Sequence, residues 1–228
     1  FNIETIMHIA VRHRNLLSLH SDLMGAHALG IKNIFSVMGD KPKKDSPFIN
    51  STFSDLTPNS ALKLMKNFNN GLSINGAKLK SSSNFFKGAA FNPSTKNLEK
   101  EMENLRLKVE SGADFLLTQP FYSTKTLLDI LDIIGEFPIP LIIGVLPLRS
   151  IKNAEFLQKN VPGINIDNHT MNLMESSKSP IKTGLEISSS LVNQLKGKIS
   201  GMYYIPPFNN YKSILELIER LEIPFSFQ

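Results

Sequence analysis

Residues 33–40 read Asn33-Ile34-Phe35-Ser36-Val37-Met38-Gly39-Asp40, an apolar run that stops at a glycine and an aspartate and opens into a long polar loop. A short, mostly apolar run bounded by turn residues marks a strand covered on both faces, as in parallel sheets. Its C-terminal end is where α/β folds gather functional groups, and a glycine there lets a flat ligand approach the backbone. Five further runs have the same character: Thr5–Val11, Phe85–Phe91, Asp114–Gln119, Pro140–Leu146 and Gly201–Pro206. Amphipathic stretches separate them, among them Asn15–Leu29, Ala61–Phe68, Asn97–Ser111, Thr124–Ile134, Thr183–Leu195 and Tyr211–Leu221. In the third, Leu98, Met102, Leu105 and Val109 recur at helical spacing, with Asn97 placed to cap the start and Gly112 to close the end.

Strands alternating with helices predict an α/β protein with a parallel sheet. No strand leads into a Gly-x-Gly-x-x-Gly turn, so the doubly wound dinucleotide-binding arrangement is disfavoured. The expectation is a single domain over residues 1–228, a (β/α)8 TIM barrel lacking about its first two β-α units in this chain. At roughly 30 residues per unit, about 50–60 residues would be absent ahead of Phe1.

Composition narrows the function classes. The 228 residues are 41% hydrophobic, enough for one good core, and contain no cysteine, which removes disulfides and thiolate metal sites. The net charge of +5 is spread over scattered lysines, with a short cluster at Lys41-Pro42-Lys43-Lys44, and tryptophan is absent. Without an Arg-rich stripe interleaved with aromatics this reads as a solvated surface, not a nucleic-acid interface. No apolar stretch reaches the ~20 residues that span a bilayer, and Phe1-Asn2-Ile3 has no basic leader, so a cytoplasmic protein without membrane contact is expected. His13, His20, His27 and His169 show no metal-ligand spacing, and no metal is expected. The long loop from Gly39 to Thr57 has the character of a binding lid, whereas Asn70–Asn84 reads as a plain connection and Val161–Ser179 as an inserted short helix.

The residues with chemistry to offer are few. Asp40 is either a turn residue or a partly desolvated carboxylate that accepts from a heterocycle's N–H groups or steadies a developing cation. Gln119 closes a strand and, with one acceptor and two donors, suits a pterin or amide edge. His8, inside an apolar strand, is either a satisfied core histidine or a donor to a cofactor. Asn104 and Lys108 share a helix side with Glu101, either as an ordinary solvated face or with the lysine near a cofactor's pyrophosphate. There is no nucleophile elbow, Walker loop or His-Glu-x-x-His, so an enzyme of this sequence would leave the hard chemistry to a bound cofactor.

Together these stretches resemble the methylenetetrahydrofolate reductase family of flavin-containing barrels. HIAVRHRNLLSLHSDLMGAHALGIKNIFSVMGDKP (His8–Pro42) is similar to its third and fourth β-α units, and KGAAFNPSTKNLEKEMENLRLKVESGADFLLTQPFY (Lys87–Tyr122) to the fifth and the start of the sixth. PLIIGVLPLRSIKNAEFLQKNVPGI (Pro140–Ile164) resembles the seventh, and GMYYIPPF (Gly201–Phe208) the eighth strand. The likeness leans toward the bacterial branch fused behind a homocysteine S-methyltransferase domain, of which nothing appears in this chain.

The resemblance implies an oxidoreductase of the CH-NH class, active in one-carbon metabolism and methionine biosynthesis. NAD(P)H would reduce bound FAD, which passes the hydride to 5,10-methylenetetrahydrofolate to give 5-methyltetrahydrofolate. It places Asp40 beside flavin and folate and Gln119 on the folate pterin, the two catalytic candidates, meeting over one ring system. It places His8, Val37, Met38, Gly39, Asp40, Ala89, Phe91, Asn104 and Lys108 along the FAD, and Asn153 against the substrate. Expected partners are NAD(P)H and folate, with a homo-oligomer or a homocysteine S-methyltransferase partner as further options.

Departures from the family pattern are also legible. The proton-donating glutamate belongs to a strand ahead of this sequence. Leu107 stands in place of a flavin-contacting arginine, with Arg106 adjacent. Asn210 stands where an arginine near the folate is common, and Leu157 where some members stack an aromatic on nicotinamide. Met38 replaces the usual Thr or Arg before Gly-Asp. Two alternatives remain open at this level: a truncated non-catalytic barrel remnant, and a flavin-free pterin-binding protein.

Overall fold

The computed structural model describes residues 3–42, 45–46, 56–95 and 97–221. Six strands, β1 (Ile6–Ala10), β2 (Asn33–Val37), β3 (Phe86–Phe91), β4 (Phe115–Pro120), β5 (Leu141–Val145) and β6 (Gly201–Tyr204), hydrogen-bond in sequence order. The pairs β1–β2, β2–β3 and β5–β6 are parallel. Helices α1 (Leu16–Ala28), α2 (Pro58–Asn69), α3 (Leu98–Glu110) and α4 (Lys125–Ile134) connect the first five strands. Three helices, α5 (Ile151–Asn160), α6 (Asn168–Ser176) and α7 (Pro180–Leu195), lie between β5 and β6, and α8 (Tyr211–Arg220) follows. The parallel α/β expectation is met, and α6 falls inside the segment read as an inserted helix. No helix among the described residues is long and apolar enough to cross a membrane.

Local chemistry explains where the boundaries differ from the sequence reading. Helix α2 starts at Pro58, ahead of the apolar periodicity, because Thr57 and Ser60 form a reciprocal capping box and proline suits the first helical position. Pro180 extends α7 forward in the same way. Strand β6 ends at Tyr204 because Pro206 and Pro207 have no N–H to give a ladder. Gly112, at φ +98°, closes α3 as expected.

Contacts divide the chain into two compact units where one domain was expected. One comprises Phe1–Ala90 with Glu99–Leu116, the other Phe91–Leu98 with Leu117–Gln228. In the first unit, α1 buries Leu19, Leu23 and Ala26, α2 buries Leu62, Met65 and Phe68, and β2 buries Ile34. The strand faces alternate. His8, Phe35 and Gly88 share one face by register, and Ser36 and Ala89 share the other, where the Ser36 hydroxyl donates to the Pro58 carbonyl at 3.2 Å. Gly88 is required on its face because a Cβ would lie 2.4 Å from the Phe115 ring, which stacks on Phe86 at 5.0 Å. Asn69 ties the Asn70–Asn84 connection down by bonding the N–H and carbonyl of Phe85 and the Ser83 hydroxyl.

The second unit has its own core, Tyr122, Leu148, Ala154, Leu157, Ile164, Ile166 and Met174, which binds the loop after β5 to α5 and α6. At the centre of β4–β6 side chains take over ladder bonds. The Gly144 N–H donates to the Thr118 hydroxyl at 3.0 Å, and the Tyr203 hydroxyl donates to the Thr118 carbonyl at 2.7 Å. Tyr203 lies so close over β5 that a Cβ on Gly144 would sit 2.7 Å from its oxygen.

Candidate functional site

In the first unit the candidate residues gather at the C-terminal ends of β1 and β2. The ladder continues past both strands: Val11 N–H donates to the Val37 carbonyl at 3.0 Å and Arg12 N–H to the Met38 carbonyl at 2.9 Å. The Arg12 Nε then donates to the Gly39 carbonyl at 3.0 Å. Backbone and side chain of one arginine thus pin the turn that presents Asp40. Gly39 is at φ +84°, and a Cβ there would lie 2.9 Å from the Ala10 Cβ. The glycine is therefore explained by packing against β1, and the space it leaves is filled by Ala10 instead of admitting a flat ligand as the sequence reading held.

Asp40 and Met38 are exposed and Val37 half-buried. The partly desolvated carboxylate expected at Asp40 is thus corrected to a solvent-facing one. His8 is exposed, with its ring edge-on to Phe35 at 4.9 Å, which removes the core-histidine reading. Ala89 is buried on the opposite sheet face from His8, so only its backbone could meet a ligand on the His8 side. The Gly39–Thr57 loop proposed as a lid lies largely outside the described residues, as do Lys43 and Lys44.

On α3 the polar side is not the solvated face weighed above. Glu101 is buried, while Asn104 and Lys108 are half-buried. The Asn104 amide donates to Glu101 at 3.2 Å and the Lys108 ammonium reaches the same carboxylate at 3.4 Å. A carboxylate, an amide and an ammonium held together below the surface form a preorganised polar patch that periodicity could not distinguish from a wet face. Arg106 does not fill in for Leu107. Its guanidinium is held by Glu103 at 2.6 Å and by Glu110 on the exposed side, which raises its pKa further and lowers that of Glu103.

In the second unit Gln119 is exposed, flanked in β4 by buried Thr118 and Pro120, so the expectation of a buried polar strand end is corrected. Its amide is nonetheless held. A Cβ on Gly163, at φ +89°, would lie 2.4 Å from the Gln119 Oε1 and 3.8 Å from the Asn92 Nδ2. The amide therefore lies against bare backbone in a groove that only glycine leaves open. Asn153 is half-buried in α5, and its side-chain oxygen accepts the Arg149 N–H at 3.2 Å, leaving the NH2 as the group it can offer a substrate. Phe91 is buried with its ring edge-on to Phe137 at 5.2 Å. Leu157 is buried in the core cluster and presents no stacking surface. Burial raises the pKa of Tyr122, whose hydroxyl donates to the Leu146 carbonyl at 3.0 Å, and those of Tyr203 and Tyr204.

Among the described residues no group of three His, Asp or Glu side chains is placed to hold a metal. The sequence reading missed Arg12, Glu101 and Gly163. Arg12 and Gly163 carry no motif, whereas Glu101 was visible one turn from Asn104.

Comparison with known proteins adds the lineage. The methylenetetrahydrofolate reductase family profile matches residues 1–222. Methylenetetrahydrofolate reductase 1 of Schizosaccharomyces pombe is 22% identical over 97% of this chain and 36% of its own length. Methylenetetrahydrofolate reductase 2 of Saccharomyces cerevisiae is 24% identical over 97% of this chain and 37% of its own. The chain thus spans about a third of the length of these relatives. A solved Clostridium thermocellum protein, described as binding two copies of 5-methyl-5,6,7,8-tetrahydrofolic acid, superposes with a TM-score of 0.65 at 15% identity, covering 96% of this chain and 72% of its own.

Proposed function

Because the chain belongs to the methylenetetrahydrofolate reductase family, we propose that it carries the FAD-dependent reduction of 5,10-methylenetetrahydrofolate to 5-methyltetrahydrofolate at the expense of NAD(P)H. Its six β-α units would then be part of a (β/α)8 barrel, a reading supported by parallel strands paired in sequence order. The carrying observation is the Gln119 amide held against Gly163 at the mouth of β4, a preset acceptor and donor pair of the kind that reads a pterin's amide edge.

The polar patch of α3 fits a flavin dinucleotide. Lys108 and Asn104, steadied by Glu101, match a pyrophosphate and its neighbouring hydroxyls. His8, Val37, Met38, Gly39 and the backbone of Ala89 and Phe91 would line the rest. When bound, FAD supplies the hydride carrier that no side chain of this chain can replace. Asp40, fixed through Gly39 by Arg12, contributes a negative charge where the folate becomes cationic. Gln119 and the Asn153 NH2 orient the folate.

Titrating the purified protein with FAD tests this reading. A flavin absorption band that bleaches on adding NADH or NADPH and returns on adding methylenetetrahydrofolate is expected. A protein that stays colourless after FAD addition yet binds folate would favour the flavin-free alternative and overturn it.

A further inference from the structure

The turn after β6 carries an unusual pair of backbone conformations. Phe208 is at φ 52°, ψ 41°, and Asn209 at φ 60°, both in the left-handed region. Asparagine tolerates this region, but a bulky aromatic pays about 1–2 kcal/mol for it. Burial does not offset that cost, because Phe208 is 75% exposed. What it gains inside the chain is a single contact, with the Arg149 guanidinium 5.4 Å from the ring centroid. At an exposed site such a cation–π contact is worth about 0.5–1 kcal/mol, less than the strain. The turn is nevertheless locked: Asn210 N–H donates to the Pro207 carbonyl at 3.0 Å, and the Ser213 hydroxyl to the Asn210 carbonyl at 2.7 Å.

Arg149 presents the complementary anomaly. It stands in the loop after β5, half-buried, with its backbone N–H held by Asn153. Among the described residues no carboxylate forms an ion pair with it, whereas Arg14, Arg106 and Arg220 each have one. Strands β5 and β6 are parallel neighbours, so the two loops leave the same end of the sheet. A strained aromatic held out to solvent and an unpaired planar cation beside it match one ligand chemistry. The ring offers a face for stacking, and the guanidinium offers a fork of N–H donors for a carboxylate.

We propose that Arg149 and Phe208 form a subsite for the aromatic carboxylate end of the substrate, the benzoyl-glutamate tail of a folate, with the tail ring on Phe208 and a tail carboxylate on Arg149. This rests on the folate reading above and adds how the tail is selected.

The test measures binding of three ligands to the full chain by calorimetry: 5-methyltetrahydrofolate, p-aminobenzoylglutamate, and a 6-methyltetrahydropterin with no tail. Arg149→Gln weakens both tail-bearing ligands about tenfold, in line with loss of one charge-assisted contact, and leaves the tail-less pterin unchanged. Phe208→Gly also weakens the tail-bearing ligands but raises the melting temperature by about 2–8 °C, because glycine relieves the strain. A merely structural role for Phe208 could not move the two readouts in opposite directions. Tail affinity within about twofold of wild type in both variants overturns the subsite, as does an equal loss for all three ligands. A lower melting temperature for Phe208→Gly also overturns it. Retained binding of p-aminobenzoylglutamate with no binding of either pterin would keep the subsite and sink the folate-reductase reading instead.

Discussion

Replacing Gly163 by alanine separates backbone strain from the placement of Gln119. The added Cβ would meet the Gln119 Oε1 at 2.4 Å and Cδ at 3.3 Å, at a residue with φ +89°. The strain term costs about 1–2 kcal/mol, which in a chain of this size lowers the melting temperature by about 2–8 °C. The clash itself adds little to stability, because the amide is the free end of a flexible side chain and an off-rotamer shift costs about 0.5–1.5 kcal/mol. Its consequence is functional, since the amide leaves the position in which it reads the pterin. Losing one or two neutral hydrogen bonds worth about 0.5–1.5 kcal/mol each raises the folate KM about three- to thirtyfold. Reduction of an artificial acceptor by NAD(P)H, which needs no folate, is unchanged. In a Gln119→Ala background the same glycine substitution keeps its thermal cost but has no further effect on folate KM, because no amide remains to displace. Steady-state kinetics of both reactions, with thermal unfolding of the four proteins of the cycle, check this. An equal rise in folate KM in both backgrounds, or no rise in either, refutes the role given to Gln119.

Other substitutions probe the remaining links. Asp40→Asn retains FAD and slows folate reduction by at least about tenfold more than NAD(P)H oxidation, as expected for a charge that acts on the folate cation; stopped-flow measurement of the two half-reactions decides, and equal losses argue against it. Gly39→Ala destabilises by about 1–2 kcal/mol through its φ of +84°, with extra overlap on Ala10 that Ala10→Gly relieves, as read from urea unfolding. Raised pKa values at Tyr122, Tyr203 and Tyr204 mean that the unfolded chain ionises first as pH climbs. The unfolded state then binds fewer protons, so stability is intact below about pH 10 and falls above it. Tyr203→Phe should flatten that alkaline loss in a pH series of unfolding curves.

Much of the architecture was legible because parallel strands are nearly continuous apolar runs and helices repeat every three to four residues. The runs around Ile34 and Ile143 stood out for that reason, and so did the stripe of Leu98, Met102, Leu105 and Val109. Helix starts set by caps, such as Thr57 and Pro58, fell before the periodic signal and were placed late. Burial of individual polar residues was the weak point. Asp40 and Gln119 read as sheltered but face solvent, while Glu101 read as part of a wet face and is buried. Periodicity gives the side of an element, not what covers that side. The contacts that hold the site, Arg12 on the Gly39 carbonyl and Gly163 under the Gln119 amide, join residues far apart in the chain. No local pattern encodes them. In the sequence Gly39 looked like an opening for a ligand, and only the fold shows Ala10 already there.

The most direct test of the proposed activity is product formation. Purified protein supplied with FAD, NAD(P)H and 5,10-methylenetetrahydrofolate should accumulate 5-methyltetrahydrofolate in step with NAD(P)H consumed, followed by chromatography of the folates. Consumption of NAD(P)H with the folate left unchanged would contradict the account.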